Sequence, residues 1–182
     1  YDIVLLQEVH IQSNFEAQNW GSEWGGSTFW SFGTNHSCGV GILVKKSFPG
    51  TIIANFHDYH GRLLYIDFVL NKSNYRIINV YCPNDERDRV TFLNDLGKFL
   101  SVNKYIVLGG DFNFVEDVAK DKCGGNPSLG TVGKTQLSSL CNTYDLSESF
   151  RKLFPNKIEF SWTRYDQSVS CRLDRFYVSS TL

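Results

Sequence analysis

Between Asp2 and Pro83 the chain sets down short apolar, β-branched and aromatic runs in quick succession: "DIVLLQEV", "STFWSF", "GVGILVKK", "TIIANFH", "RLLYIDFVL" and "YRIINVYCP". Runs of this length and composition, bounded by turn-forming residues, form strands, and their succession predicts a meander-like sheet structure. The first of them is apolar throughout and reads as a strand buried on both faces. Ser13 followed by Glu16 in "SNFEAQNW" has capping-box spacing and predicts a short helix that "GSEWGGS" breaks. After "CPNDER" the period changes. Val90, Phe92, Leu93, Leu96, Phe99 and Leu100 recur at helical spacing and predict an amphipathic helix from Glu86 to Leu100. "YIVLGGDF" returns to a strand, a second helix is expected over 135–142, and "DLSESFRKLFP" runs to a proline stop. "IEFSWT" and "RLDRFYV" close the chain as two strands. Two mixed or antiparallel sheets packed face to face with helices outside, an α/β (α+β) class, accommodate this order in one domain spanning 1–182.

Composition narrows the function. Eighteen basic against nineteen acidic residues leave a net charge of -1, so a nucleic-acid partner would need a local basic surface, or metal ions to offset phosphate repulsion. Five cysteines without a C-x-x-C pair fit a reducing compartment and disfavour zinc fingers and disulfide frameworks. Neither an 18-residue apolar run nor a charged-then-apolar leader is present, so no membrane span or signal peptide is expected. The chain opens inside an apolar strand and contains no methionine, and it reads as a fragment of a longer protein.

Chemistry gathers at the ends of the strands. In "YIVLGGDFNF" an apolar run stops at Gly109 and Gly110 and then offers Asp111 and Asn113, which an extended backbone would point to one side. The glycines admit a ligand or another backbone at close range. An Asx turn ending a strand is the structural alternative. Glu8 and Tyr81 also follow apolar runs, and Asp174 precedes one. Hard oxygen donors of this kind suit Mg²⁺ or Mn²⁺, which complete their shells with water and substrate phosphate. Phosphate ester hydrolysis is the chemistry such a set supports: the metal neutralises phosphoryl charge, a second carboxylate such as Asp111 orients water, and a donor such as Asn113 holds phosphate oxygens.

"LLQEV", "NVYCPN", "GGDFN", "FSWT" and "RLDRFYVSS" occur in the order and approximate spacing of the endonuclease/exonuclease/phosphatase superfamily, and the resemblance covers essentially the whole chain. Within it, "Y-x-P-N", "DLSESFRKLFP" before "FSWT" and "HGRLLYIDF" look most like the apurinic-type endonuclease domain of LINE-type retrotransposons. Repair AP endonucleases resemble it nearly as well. The resemblance implies a DNase-I-like, four-layer αββα sandwich. It implies Glu8 as a metal ligand for Mg²⁺ with Mn²⁺ as a substitute, Tyr81 as a phosphate or transition-state contact, Asp111 as the activator of water, and Asn113 and Asn84 as substrate-binding residues. Ser161 stands where the family usually has threonine and keeps the hydroxyl. Asp174 matches the family aspartate before the final strands.

The family's Ser-Asp-His motif and an N-terminal asparagine-bearing strand lie outside this sequence. Because general acid-base help is worth roughly 10² to 10⁴ in rate, the 182 residues alone are expected to be nearly inactive, while the parent nicks DNA and leaves a 3′ hydroxyl that primes reverse transcription by a region on the same chain. A nuclear and cytoplasmic, reducing location follows from the DNA partner. A repair AP endonuclease, a superfamily phosphatase, and a decayed non-catalytic DNA-binding module are the alternatives. Elsewhere, Asp174 could pair with Arg172 or Arg175. His57 and His60 lack a third ligand, and His10 and His36 carry no specific signal, although His36 lies in a turn before "GVGILV" that could reach a cleft. Lys45, Lys46 and Arg62 are either phosphate contacts or surface charge. "GTVGKT" lacks the Walker glycine, with Ser128 in its place, and reads as a helix-capping loop.

Overall fold

Most of the predicted strands and helices form, and the computed structural model describes residues 1–34, 37–126 and 130–182. His36 and Ser128 fall outside them. The chain divides into two compact units, Tyr1–Tyr81 with Asn103–Gly110, and Cys82–Val102 with Asp111–Leu182.

In the first unit, β1 (Ile3–Gln7), β2 (Ser27–Ser31) and β3 (Val40–Val44) form an antiparallel sheet in the order β1-β3-β2. β4 (Thr51–His57), β5 (Leu63–Leu70), β6 (Ser73–Tyr81) and β7 (Tyr105–Asp111, its last residue belonging to the second unit) follow one another in a second sheet. β4, β5 and β6 pair as the antiparallel meander their spacing predicts. The two sheets face each other across Val40, Ile42, Val44, Leu64, Ile66, Phe68 and Ile77, with Ile3, Leu5 and Val107 packed against them. This is an apolar interior of the kind that alternating strands build. β1 packs on both faces, as its sequence predicts, Ile3 and Leu5 against one core cluster and Val4 and Leu6 against another, though less deeply than a central strand. It is an edge strand paired with β3 alone among the described residues, and all five of its residues are half-buried. α1 (Asn14–Trp24) starts at Ser13, whose Oγ accepts from the Glu16 N–H, while Glu16 accepts from the Gln12 N–H. This is a capping box displaced by one residue.

One ion-pair cluster is buried in this unit. Arg76 grips Asp67 through Nε and Nη2 at 2.7 and 2.8 Å, and Lys104 Nζ lies 2.5 Å from the same carboxylate. Burial pushes the Asp67 carboxyl up, but the two cations outweigh it and hold the group below its ordinary value.

In the second unit α2 (Glu86–Leu100) spans the predicted residues, capped by Asp85 on the N–H groups of Arg87 and Asp88. Its buried stripe is Arg89, Leu93, Leu96 and Leu100. α3 (Val118–Asp121), β8 (Lys122–Cys123), α4 (Lys134–Thr143), β9 (Leu146–Glu148), α5 (Ser149–Leu153), β10 (Trp162–Thr163), β11 (Ser170–Cys171) and β12 (Asp174–Ser179) complete it. β10, β11 and β8 make a small antiparallel sheet, and β12 pairs with β9. "GTVGKT" is a helix-capping loop, with Gly133 at φ 111 ahead of α4. "IEFSWT" contributes only Trp162 and Thr163 to a strand. Ile158 is 62% exposed, so its apolar alternation has no buried face to serve. No helix among the described residues is long and apolar enough to cross a membrane.

Candidate active site

Each unit gathers its own set of the residues singled out from sequence. In the first, β1 ends at Gln7 and the next residue, Glu8, turns into the left-handed region at φ 54. That conformation costs a non-glycine residue about 1 kcal/mol or more, and it persists only where the surroundings hold it. The holding contacts are visible. Asn79, fully buried near the end of β6, donates from Nδ2 to Leu6 O at 2.8 Å and Gly41 O at 2.9 Å and accepts from Gln7 Nε2 at 2.6 Å. The end of β1 is therefore pinned just before Glu8, and the Tyr81 hydroxyl donates to Glu8 Oε1. Tyr81 is 3% exposed, whereas Glu8 is exposed, so the carboxylate presents oxygen to solvent from a fixed position.

Arg62 completes this group. Its guanidinium lies 5.3 Å from the Tyr81 ring centroid, and Nη1 donates to Tyr81 O at 3.3 Å. The Arg62 N–H is itself held by Asp58 Oδ1. Of the three basic residues left open by sequence, Arg62 is thus the one placed beside a candidate site residue. Contact with an aromatic face favours a guanidinium there.

In the second unit the strand ends at Asp111, and Asn113 enters the left-handed region at φ 54. The extended backbone that would point both side chains to one side does not persist to Asn113. They are instead joined as an Asx turn, the Asn113 N–H donating to Asp111 Oδ1 at 2.8 Å. The Asn113 carboxamide donates to Cys82 O at 2.7 Å, and the Cys82 N–H donates back to Asp111 O at 2.8 Å. The D-x-N turn and the start of the Cys82–Asn84 segment are therefore laced together. Phe112 and Phe114 are fully buried, with the Arg175 guanidinium 4.9 and 4.5 Å from their ring centroids and its Nη2 donating to Phe114 O. Gly110, at φ 138, is required by a backbone rather than a ligand. A Cβ there would lie 2.0 Å from Val80 O.

Ser161 and Asp174 also meet. Ser161 Oγ accepts from the N–H groups of Leu173 and Asp174, both at 3.0 Å, and the Phe112 N–H donates to Leu173 O at 3.0 Å. With both acceptor positions engaged, the Ser161 hydroxyl keeps its own proton for a further partner. Asp174 is exposed and pairs with neither neighbouring arginine: Arg172 is bound to Asp121 and Glu148, and Arg175 lies nearest Glu116. A groove of ≈ 240 Å³ lined by Phe150, Phe160, Ser161, Asp174 and Phe176 runs alongside.

Among the described residues there is no cluster of three or more histidine, cysteine, aspartate or glutamate side chains that could cage a metal. His57 Nδ1 lies against Asp58 O, and His57 and His60 build no such centre. A cation here would have to be of the Mg²⁺ type, bound by one or two carboxylates and otherwise by water and phosphate. Glu8, an exposed carboxylate with one oxygen on Tyr81, fits that donor set. Sequence reasoning passed over Asn79, left Arg62 open between phosphate contact and surface charge, and passed over Arg89. A polar residue inside "IINVY" and an arginine in phase with Leu93, Leu96 and Leu100 were the signals available for the first and last.

Solved structures place this architecture. An AP endonuclease from Archaeoglobus fulgidus matches it with a TM-score of 0.78 at 16% identity, over 100% of this chain and 77% of that one. A 3′ phosphatase, NExo, from Neisseria, bound to a product DNA hairpin, matches with a TM-score of 0.75 at 19% identity, over 99% and 77%. The fold is thus the mixed α/β, DNase-I-like one. The sequence is more specific: residues 1–182 match the Endonuclease/Exonuclease/phosphatase family, and the chain belongs to it. The Transposon TX1 uncharacterized 149 kDa protein of Xenopus laevis is 31% identical over 187 residues, spanning 100% of this chain. The chain spans 14% of that relative's length. Membership and likeness together support nuclease activity, and nucleases of the family generally use divalent metal ions.

Proposed function

We propose that this chain is the nuclease region of a longer, retroelement-type protein that nicks DNA in a Mg²⁺-dependent reaction and leaves a 3′ hydroxyl to prime reverse transcription by a region on the same chain. The observation that carries the reading is the Asp111–Asn113 turn, whose carboxylate, carboxamide and backbone are each fixed by a hydrogen bond at 2.7–2.8 Å in a chain of this family. Bound Mg²⁺, or Mn²⁺ in its place, supplies charge neutralisation at the phosphoryl oxygens, and Glu8 is the residue that would hold it. Tyr81 steadies Glu8 and offers its phenol to a phosphate oxygen. Asp111 accepts a proton from the attacking water. Asn113, which has a second carboxamide hydrogen beyond the one on Cys82 O, binds a phosphate oxygen with Asn84 and the Ser161 hydroxyl. Asp174, exposed and anchored through its backbone, stands at the position of the family aspartate before the final strands. The DNA-bound structural neighbour and the transposon relative support DNA as substrate. A nuclear and cytoplasmic site of action accords with it.

The test is nicking of supercoiled plasmid by the parent protein with Mg²⁺, against Asp111→Ala, followed by polymerase extension from the nick. The reading expects open circles that extend directly, a loss of at least roughly 10²-fold in Asp111→Ala, and little nicking by the isolated 182 residues. Metal-independent nicking, or nicking that survives Asp111→Ala, overturns it.

A further inference from the structure

The buried stripe of α2 reads Arg89, Leu93, Leu96 and Leu100, so a guanidinium occupies a core position one helical repeat before the leucines. Arg89 is 2% exposed. No ion pair with a carboxylate secures it among the described residues, and its partners are carbonyl groups. Nε donates to Val132 O at 2.9 Å. Nη1 faces three carbonyls, Asn113 O at 2.6 Å, Pro83 O at 3.3 Å and Asn84 O at 3.4 Å. Nη1 has two hydrogens, so its bonds to the two longer-range carbonyls are shared while Asn113 holds the tight one.

Those carbonyls belong to the segments that carry candidate site residues. The left-handed conformation of Asn113 turns its carbonyl onto Arg89 while its carboxamide reaches Cys82 O. Pro83 and Asn84 are the next two residues of that same segment. Without the guanidinium, the buried carbonyl of Pro83 and the half-buried one of Asn113 would lose their donor, and the turn would relax toward water. A hydrophobic residue, which the helical phase asks for, satisfies none of them. Lysine brings one compact ammonium where arginine brings a planar fork.

We infer that Arg89 is a positioning residue of the candidate active site: its buried guanidinium locks the Asp111–Asn113 turn to the Pro83–Asn84 segment and so sets where the Asn113 and Asn84 carboxamides sit. The catalytic consequence rests on the nuclease reading. The positioning itself does not.

Two measurements separate these. Amide hydrogen exchange on the chain reads the turn directly. In Arg89→Met the Asn113 and Cys82 amides lose protection by roughly tenfold or more while Ile77 and Ile78 keep theirs, and Arg89→Lys gives a smaller loss at the same two amides. Unchanged protection at Asn113 and Cys82 in both variants overturns the inference. Plasmid nicking by the parent protein reads the consequence: kcat falls by roughly 10²-fold with KM for DNA nearly unchanged, and Arg89→Lys recovers part of kcat. A folded Arg89→Met with wild-type kcat also overturns it, as does a loss in kcat that tracks only the fraction unfolded. If the wild-type parent does not nick DNA under any divalent metal, the nuclease reading fails, and the exchange result alone decides the role of Arg89. Should Arg89→Met not fold, Arg89→Lys is read in both assays against the same criteria.

Discussion

Replacing Asn79 with alanine should destabilise the chain by about 2–3 kcal/mol, and the structure shows where that figure comes from. The side chain is 0% exposed and makes three hydrogen bonds, two as donor to Leu6 O and Gly41 O and one as acceptor from Gln7 Nε2. Leu6 and Gly41 face one another in the β1-β3 ladder, so each carbonyl retains a second lone-pair position for the ladder and is not wholly orphaned. Losing the donor from each therefore costs near the low end of the range for an unsatisfied buried group, about 1 kcal/mol apiece. Gln7 is half-buried and can turn to water. The volume lost from the closely packed interior adds a further few tenths to about 1 kcal/mol. For a domain of this size the total corresponds to a fall of roughly 5–10 °C in Tm. Denaturant unfolding with an unchanged slope is the assay. Asn79→Leu separates the contributions because it restores volume without donors and should remain at least about 1 kcal/mol below wild type. A loss under about 0.5 kcal/mol for Asn79→Ala, or full recovery in Asn79→Leu, would refute the claim that these hydrogen bonds fix the strand leading to Glu8.

Further outcomes follow from the buried charges. Asp121, 1% exposed, lies between Arg172 and Arg151, and Asp121→Ala should cost about 3–5 kcal/mol in denaturant unfolding because two guanidinium groups lose their shared carboxylate. Burial raises the Asp67 and Asp121 carboxyls, but their cations outweigh it, Arg76 and Lys104 for the first and Arg172 and Arg151 for the second, and leave both below 3.8. Groups depressed in the folded state add stability that is present above the unfolded value and lost as pH falls through the folded one. Denaturation midpoints should therefore drop below about pH 4, with a shallower drop in Asp67→Asn. Burial pushes the Cys141 thiol up to about 12, whereas Cys123 is exposed. Mass-resolved alkylation near neutral pH should label Cys123 well ahead of Cys141, since the thiolate is the reactive form.

Much of the strand order was legible because periodicity reports burial directly. The β4-β5-β6 meander, α2 and the capped start of α1 lie where apolar spacing and turn residues put them. What was not legible has physical causes. "DIVLLQ" is apolar on both faces whether its strand is central or at an edge, so sequence cannot announce that β1 pairs on one side only. "IEFSWT" alternates as a strand should, yet Ile158 is 62% exposed, and alternation without a facing layer is not a sheet. Buried polar residues were the least visible of all. Asn79 and Arg89 look like interruptions of apolar patterns, and their value lies in carbonyl groups supplied by residues 38 and 24 positions away.

The Asp111–Asn113 motif shows why a structural reading and a functional one need not compete. The Asx turn that would explain an isolated D-x-N is present, with the Asn113 N–H on Asp111 Oδ1. The same turn places Asn113 at φ 54, where asparagine is better tolerated than other non-glycine residues. That conformation hands its carbonyl to a buried arginine and its carboxamide to Cys82 O. A turn needed only to end a strand would be as well served by glycine and water. Instead a left-handed backbone, a buried guanidinium bonded to carbonyl groups and a fixed carboxamide contact are all maintained around one carboxylate. Strain of this kind survives when the surroundings over-determine it, and here they over-determine the position of the group proposed to activate water.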